Sequence, residues 1–576
     1  MNIEIQHINR SRILAVIVVL VAVAFSMRLF YLQVVQHDHY TALANQEQVK
    51  RLTIPAKRGL IYGLDGSTPV PLVMNQTVFT IFADPQMVAN PEKIEKTLKR
   101  VAGGNLRNDI DELLLKKDTR YQILATEVSR DQADMIKKEG LSGIGFQETS
   151  QRVYPEGRLG SQVLGFVDYE GTGRYGVEGG LQEELSGDDG LLQSVTDISA
   201  VPLNIGDQNI NQPAKDGEDV VITIDRAVQA RAEQALADGL ERSGADSASA
   251  IVMDPQTGRV MAMANLPDYE PAEFNKVKDA ALFNNSTISL PYEQGSNVKI
   301  FTFAMGLDKG TIRPDSTYLN TDSVRIEDRV ISNYVKGQTG RITFQTALNW
   351  SLNTGAVAVL QSMDSDGEIT KSVRQTTYDY FYNKFRLGQP TGIELAGEVG
   401  GRIISPERVE GNAVRYSNMS FGQGMDITMI QSAAAFSALV NDGEYRQPTV
   451  IAGKIEGGEF KEAETSSPER MALKSTSSDI KKMMENGRQV YSYLDKQGYK
   501  IGGKTGTAEV AVNGRYSGEE SVGTYIGYGG DDEPKYVIMV RIAADGKHMQ
   551  GSGDAVPIFT ELSNWMIDYL KLQPKG

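Results

Sequence analysis

The chain has 576 residues and no cysteine, which excludes disulfides, Cys-ligated zinc, iron–sulfur clusters and thiol catalysis. Histidine is almost absent as well: His7, His37 and His39 lie near the N-terminus, and His548 near the C-terminus. A Ser-His-Asp triad or a multi-histidine metal site would have to be assembled across that distance. Positive charge is in deficit, with 59 Lys and Arg against 74 Asp and Glu, a net charge of −15. Phosphate binding draws on surplus cations, so nucleic acid is not the expected partner. No internal repeat is evident. What is present is ordinary globular composition, 40% apolar and 23% charged, able to bury a core. A prior of about 150 residues per domain suggests three or four units, or fewer large ones.

Charge is unevenly spread. Residues 1–60 carry Arg10, Arg12, Arg28, Lys50, Arg51, Lys57 and Arg58 against Glu4, Asp38 and Glu47, a net +4, leaving −19 for the remainder. Between Arg12 and Arg28 runs an apolar stretch from Ile13 to Phe25. As a signal peptide, Arg10 and Arg12 would form its basic region and Ala22-Val23-Ala24 a cleavage site. As an anchor, the stretch continues past Arg28 to Val35, giving about 23 residues, enough for a hydrocarbon layer of about 30 Å. Arg28 can then snorkel and Tyr31 suits the interface. Arg10 and Arg12 would keep the short N-terminus cytoplasmic. Everything beyond about residue 36 would be outside, where a chain without cysteine escapes adventitious oxidation.

Residues 36 to about 215 form a mixed segment. Arg58–Tyr62 followed by Asp65-Gly66 reads as a strand entering a tight turn. Residues 94–101 and 129–139 have helical patterning, and the polar stretch 204–216 looks like a domain boundary. Val220–Ile224 then reads as a strand, with Asp225 capping a helix whose apolar positions are Val228, Ala232 and Leu236. Residues 248–253 and 259–264 are two apolar strands joined by the turn Asp254-Pro255-Gln256-Thr257-Gly258. Near the end, 536–542 is another strand and 557–570 a helix. A long antiparallel sheet covered by helices from both ends of a domain is an α+β fold, an α/β/α sandwich.

The strongest chemical signal is Gly295-Ser296-Asn297-Val298-Lys299, running into Ile300-Phe301-Thr302-Phe303-Ala304-Met305. The run is apolar almost all round, as a buried helix is. Ser296 stands at its N-terminus and Lys299 one turn later on the same face. Burial would strip that lysine of its proton and make it a base, while the helix N-terminus offers N–H groups to a developing anion. A capping serine beside a snorkelling lysine has the same pattern. Two further elements follow in order: Ser351-Leu352-Asn353, otherwise a polar helix cap, and Lys504-Thr505-Gly506-Thr507, otherwise a Gly-rich turn before an apparent strand start at Ala508. Ser-x-x-Lys, Ser-x-Asn and Lys-Thr-Gly in this order are the signature of penicillin-recognising serine acyltransferases.

On these residues the chain resembles the class B penicillin-binding proteins, membrane-anchored D,D-transpeptidases of peptidoglycan synthesis, over nearly its whole length. Arg28–Val34 resembles the family's anchor exit, and Arg58-Gly59-Leu60-Ile61-Tyr62 the first motif of its N-terminal pedestal. Arg152-Val153-Tyr154-Pro155, Val163-Leu164-Gly165-Phe166, Gly176-Val177-Glu178 and Leu185-Ser186-Gly187 resemble the rest of the pedestal signature. In the catalytic region Asp254–Gly258 and Phe421-Gly422-Gln423-Gly424 also match. Departures are Gly63-Leu64-Asp65-Gly66 for the usual Asp-Arg-Asn-Gly, Gln162 for a common histidine, and Asn297 for the usual Thr or Val.

The resemblance implies a tail (1–12), a transmembrane helix (13–35), a pedestal of the dimerisation type (36–215) and a transpeptidase domain (216–576). It implies a retained anchor and catalysis without cofactor or metal. By the same likeness Ser296 is the nucleophile, Lys299 its base, Ser351 a proton relay supported by Lys504, and Asn353 a partner of the donor peptide amide. Thr505, Gly506 and Thr507 would line the substrate, the two hydroxyls holding its carboxylate. Backbone N–H groups of Ser296 and Thr507 would form an oxyanion hole. Stem peptides, β-lactams and a SEDS-type glycosyltransferase with division or elongation proteins are the implied partners. The septal type is favoured by Ala83-Asp84-Pro85 and by the region 314–331. A D,D-carboxypeptidase or β-lactamase shares the three motifs, but a pedestal of about 180 residues is unexplained in a free hydrolase. A bifunctional class A enzyme would need a glycosyltransferase motif, and none is visible in 36–215. A mainly scaffolding subunit is the reading from another class.

Overall fold

The computed structural model describes residues 10–40, 49–195, 210–512 and 515–574. His7, Glu4 and Glu47, together with residues 204–209 of the expected boundary, lie outside the described residues. The chain divides into two compact units, one of residues 1–58 with 186–217, the other of 59–185 with 218–576.

In the first unit a helix spans Arg10–Phe30 and continues as one wider turn over Tyr31–Val35. None of its residues is buried, and it is the one helix among the described residues long and apolar enough to cross a membrane. The Arg28 guanidinium lies 5.7 Å from the Tyr31 ring centre, the polar pair expected at an exit. The strand Val49–Ile54 pairs antiparallel with Gly190–Val195, which in turn pairs with Ile210–Gln212.

The second unit begins with β1 (Ile61–Asp65), β2 (Thr68–Ala83), β3 (Gln122–Ser129) and β4 (Ile144–Val153). β2 is long enough to pair with β1, β3 and β4. On the other side of β1 lies β5 (Asp219–Asp225), paired parallel to it, and beyond that Ile451–Glu456. Strands β1–β4, the head of the pedestal, therefore share one seven-stranded sheet with strands of the catalytic region. Asp225 accepts from the N–H groups of Ala227 and Val228 at 2.9 and 3.0 Å, starting α1 (Arg226–Ser243) where a capping carboxylate predicts it.

The catalytic sheet consists of β6 (Ser247–Met253), β7 (Val260–Leu266), β8 (Lys500–Val512), β9 (Arg515–Gly530) and β10 (Pro534–Ala543), all antiparallel in the order β7-β6-β10-β9-β8. Alternation along each strand divides its side chains between two cores. Ala250, Val252, Val540 and Ile542 face α1 and the C-terminal helix Val556–Tyr569. Ile251, Met253, Val537 and Met539 face the other core, built from the helices Lys299–Asp308, Met429–Val440 and Lys474–Arg488. This is the expected α/β/α sandwich, with helices from both ends of the domain on one face. One element differs from expectation. The Lys504-Thr505-Gly506 segment lies inside β8, which starts at Lys500 rather than at Ala508. Its glycines read locally as a turn, but strand pairing with β9 overrides that preference.

The pedestal motifs meet one another. Arg152 donates to Glu178 at 2.8 Å and to Asn75 at 2.7 Å, deep in the head. Two departures also find partners: Gln162 donates to Pro267 O at 3.1 Å, and Asp65 accepts from Arg226 at 2.8 Å.

Candidate active site

Gly295–Val298 forms a tight 3-10 turn that opens into α2 (Lys299–Asp308), whose residues 299–307 are all buried. The turn is fixed from behind. Gln294 donates to Thr428 O at 3.1 Å and accepts from Ser432 Oγ at 2.6 Å, and Gly295 N donates to Gly422 O at 3.1 Å. A side chain on Gly422 would stand 1.9 Å from Gly295 O, so the Phe421–Gly424 motif is the close backing of this turn.

The first two motifs converge on Lys299. Its Nζ lies 2.9 Å from Ser296 Oγ, 2.6 Å from Ser351 O, 3.3 Å from Ser351 Oγ and 2.8 Å from Asn353 Oδ1. Ser351 has φ +56°, a left-handed conformation uncommon in a non-glycine residue. That corner turns both its carbonyl and its hydroxyl to Lys299 before α3 (Asn353–Gln361) begins. Strain of this kind persists where surrounding contacts over-determine it.

Electrostatics favour a neutral Lys299. The side chain is fully buried, and this desolvation, with a lesser push from the Lys504 charge, holds its pKa well below the usual lysine value. A neutral amine has two hydrogens and one lone pair. Ser351 O and Asn353 Oδ1 are pure acceptors and take the hydrogens, leaving the lone pair for a hydroxyl hydrogen, that of Ser296. The arrangement thus presents a serine hydroxyl to an amine whose burial weakens its hold on a proton.

Lys504 is also buried, and burial lowers its pKa to about 7. Its Nζ donates to Thr505 O at 2.8 Å and lies 3.3 Å from Thr505 Oγ1; no hydrogen bond joins it to Ser351 among the described residues. Thr505 is half-buried, Gly506 buried and Thr507 exposed, on a strand that forms the edge of the five-stranded sheet. An edge strand offers unpaired backbone groups to an extended peptide. A side chain at Gly295 would approach Thr507 O to 2.5 Å, so the nucleophile turn and the Lys-Thr-Gly strand are in direct apposition.

Asn297, the departure after Ser296, crosses behind that strand. Its Nδ2 donates to Thr524 Oγ1 on β9 at 2.9 Å. A side chain on Gly506 would meet Thr524 Oγ1 at 2.3 Å and Asn297 Cγ at 2.9 Å, so the bond passes directly beneath Gly506. Residues immediately after the region 314–331 touch the site: Asn353 Nδ2 donates to Ser332 O at 2.9 Å, and Thr354 N to Asn333 Oδ1 at 3.0 Å. No local pattern marks Ser332 or Asn333, which lie about twenty residues before the motif they touch. Among the described residues no three His, Asp or Glu side chains gather as metal ligands would.

Known proteins share this architecture. The family model for the penicillin binding protein transpeptidase domain matches residues 248–564, more than half of the chain, and that for the penicillin-binding protein dimerisation domain matches 53–222. Stage V sporulation protein D of Bacillus subtilis (strain 168) is 29% identical over 584 residues, covering 98% of this chain and 87% of that protein. The peptidoglycan D,D-transpeptidase FtsI of Escherichia coli (strain K12) is 27% identical over 576 residues, covering 96% and 91%. Among solved structures, a peptidoglycan synthetase from Bifidobacterium adolescentis aligns with a TM-score of 0.72 at 24% identity, covering 92% of this chain and 98% of that one. Penicillin binding protein 3 from Mycobacterium tuberculosis, complexed with aztreonam, aligns with a TM-score of 0.68 at 22% identity, covering 91% and 98%. These structural likenesses bear on the fold alone.

Proposed function

We infer function from membership: this chain belongs to the penicillin-binding protein transpeptidase family, and it is a peptidoglycan D,D-transpeptidase of cell-wall synthesis. The observation that carries the site assignment is the Lys299 amine, held by two pure acceptors with Ser296 Oγ at 2.9 Å. Ser296 is the nucleophile. Its Oγ attacks the carbonyl of the penultimate D-Ala of a stem peptide while Lys299 takes the hydroxyl proton. The C–N bond to the terminal D-Ala breaks as Ser351 delivers its proton to the leaving nitrogen and is reprotonated by Lys299, 3.3 Å away, and free D-Ala departs with Lys299 neutral again. An amine of a neighbouring stem then attacks the ester and loses its proton to Lys299, which passes it to Ser296 Oγ as the ester C–O bond breaks and the cross-link forms.

Asn353 binds the donor peptide amide, and Thr505, Gly506 and Thr507 line the strand along which that peptide extends. Lys504 supports the Ser351 relay, and beside it the hydroxyls of Thr505 and Thr507 receive the terminal carboxylate. The N–H groups of Ser296 and Thr507 stabilise the oxyanion, a contribution of about 2.7–4 kcal/mol per donor in comparable sites. A β-lactam is opened by the same attack, but its ring nitrogen stays tethered and the acyl-enzyme persists.

The domain division follows the same reading: tail 1–12, membrane helix 13–35, pedestal 36–215 and transpeptidase domain 216–576. Arg10 and Arg12 support a cytoplasmic N-terminus with the catalytic domain outside. A septal role and a SEDS-type glycosyltransferase partner are proposed from family likeness. Fluorescent penicillin should label the full chain covalently, and Ser296→Ala should abolish the label; a labelled Ser296→Ala protein would sink the nucleophile assignment. Incubation with a donor peptide and an amine acceptor separates the reactions, since a transpeptidase yields the cross-linked amide and a carboxypeptidase free acid alone.

A further inference from the structure

The amide of Asn353 has to present a defined end to the donor peptide, yet Lys299 alone does not decide which. A neutral amine both donates and accepts, so until its lone pair is committed to Ser296 either end of the amide finds a bond to it. Ser332 O does decide. It is a pure acceptor 2.9 Å from Asn353 Nδ2, so the NH₂ end turns towards it and the oxygen towards Lys299. One amide hydrogen is thereby spent on Ser332, and the other is left for the substrate.

What holds the Ser332 carbonyl is a buried polar cluster. Asn333, 2% exposed, accepts from Thr354 N at 3.0 Å and lies 3.0 Å from Thr354 Oγ1. Its Nδ2 donates to Asn320 Oδ1 at 3.2 Å and to Asp322 Oδ1 at 3.3 Å. Asn320, 1% exposed, also receives Thr354 Oγ1 at 2.7 Å and donates to Gln338 O at 2.7 Å. Asp322 turns back at φ +60° and accepts from Gly337 N at 2.7 Å. The hairpin of Ser323–Ile326 with Arg329–Ser332, through the residues flanking it, and the first turn of α3 are locked to one another through side-chain amides. Apolar residues of equal volume would serve stability as well as such a cluster does, whereas its directional bonds fix position.

We propose that Asn333 is a positioning residue of the transpeptidase: through its bonds to Thr354 and Asn320 it fixes the Ser332 carbonyl, which orients the Asn353 amide between Lys299 and the donor peptide. The proposal rests on Ser296 being the nucleophile. A misplaced neighbour of the reacting groups costs catalysis more than binding.

The test is stopped-flow acylation of the full chain in detergent by a fluorescent penicillin. Ser296→Ala is run alongside; if it still labels, the nucleophile assignment fails, whatever Asn333 does. With that control unlabelled, Asn333→Ala should lower the acylation rate constant by about tenfold to a hundredfold. In an Asn353→Ala background the same change should cost less than about twofold, because the two act as one unit. Full additivity would overturn the proposal, as a general structural role predicts it. Should Asn333→Ala fail to fold, Thr354 decides: Thr354→Val is expected to slow acylation and Thr354→Ser, which keeps the hydroxyl, to restore it within about twofold. A Thr354→Ser protein as slow as Thr354→Val would overturn the assignment equally.

Discussion

In the pedestal head, Arg152 is 6% exposed and donates at 2.8 Å to Glu178, a carboxylate wholly inside the protein. In the catalytic cleft, Lys299 is equally enclosed but meets a hydroxyl, a carbonyl and an amide oxygen, and no ion pair reaches it among the described residues. Removing a cation from water costs free energy that a facing carboxylate offsets and a neutral acceptor does not. The guanidinium, too basic to lose its proton, has its buried charge offset by Glu178 and holds two pedestal segments together, while the lone ammonium is pushed towards its neutral form. The same physical cost produces a structural joint in one region and a base in the other. Lys504, buried with no ion pair among the described residues and lowered to about 7, belongs with the second case.

The comparison breaks first at Lys299. Lys299→Arg supplies a cation that keeps its proton under any working condition, and acylation by penicillin should fall by about 10²–10⁴-fold, as far as in Lys299→Ala. A Lys299→Arg protein acylating within tenfold of the parent would show that charge, not basicity, is required. The next largest effect belongs to the pedestal. Arg152→Met takes the guanidinium away from the buried Glu178 and should cost about 3–5 kcal/mol in urea denaturation, with acylation by the folded fraction unchanged. A loss below about 1 kcal/mol would mean the pair is not the joint described here.

Lys504→Met sharpens the contrast through pH. The Lys504 charge pushes the Lys299 pKa down, so its removal lets Lys299 hold its proton more tightly. The acid limb of the acylation profile should move to higher pH; an unmoved limb would contradict the coupling. Stability changes with the opposite benefit. The unfolded lysine is protonated up to about pH 10.4, whereas the folded one loses its proton near 7, so the unfolded chain binds more protons between these values. Stability of the parent then rises with pH across that window and falls back as pH drops towards 7. Lys504→Met, which has no proton to lose, should melt higher at pH 7.5, with the advantage shrinking towards pH 10.5. The smallest effect is expected at Asn297: Asn297→Val removes the bond to Thr524 but keeps the bulk beneath Gly506, and should change acylation by about tenfold or less.

How much of this was legible in the sequence depended on distance along the chain. Ser296 and Lys299 are separated by one helical turn, so their shared face follows from spacing, and the apolar run announces the burial that shifts Lys299. The cap at Asp225 and the turn at Asp254 are local in the same sense, and both appear where side-chain chemistry places them. Ser351, Asn353 and Lys504 carry no such local signal; they were found through the order of the motifs, and the geometry brings Ser351 and Asn353 to within 3.3 Å of one amine. Asn320, Ser332 and Asn333 were missed because polar residues in short hairpins have no period, and their partners lie 21 to 34 residues away. The pairing of 49–54 with 190–195 and of β1 with β5 was likewise invisible, since register between distant strands is set by tertiary contacts.

The parallel pairing of β1 with β5 bears on the order in which the molecule folds. Residues 61–65 complete one side of their strand only after 219–225 have been made, and β5 in turn pairs with 451–456 near the end of the chain. Contacts across such separations form late and slowly, because closing the long loop precedes any gain from the pairing. The head does not mature ahead of the catalytic region as an independent bead would; it waits, with β1 exposed as an open edge, until residues 219–225 have arrived. A chain cut at residue 215 keeps that edge open permanently, and self-association of such a fragment is the expected outcome.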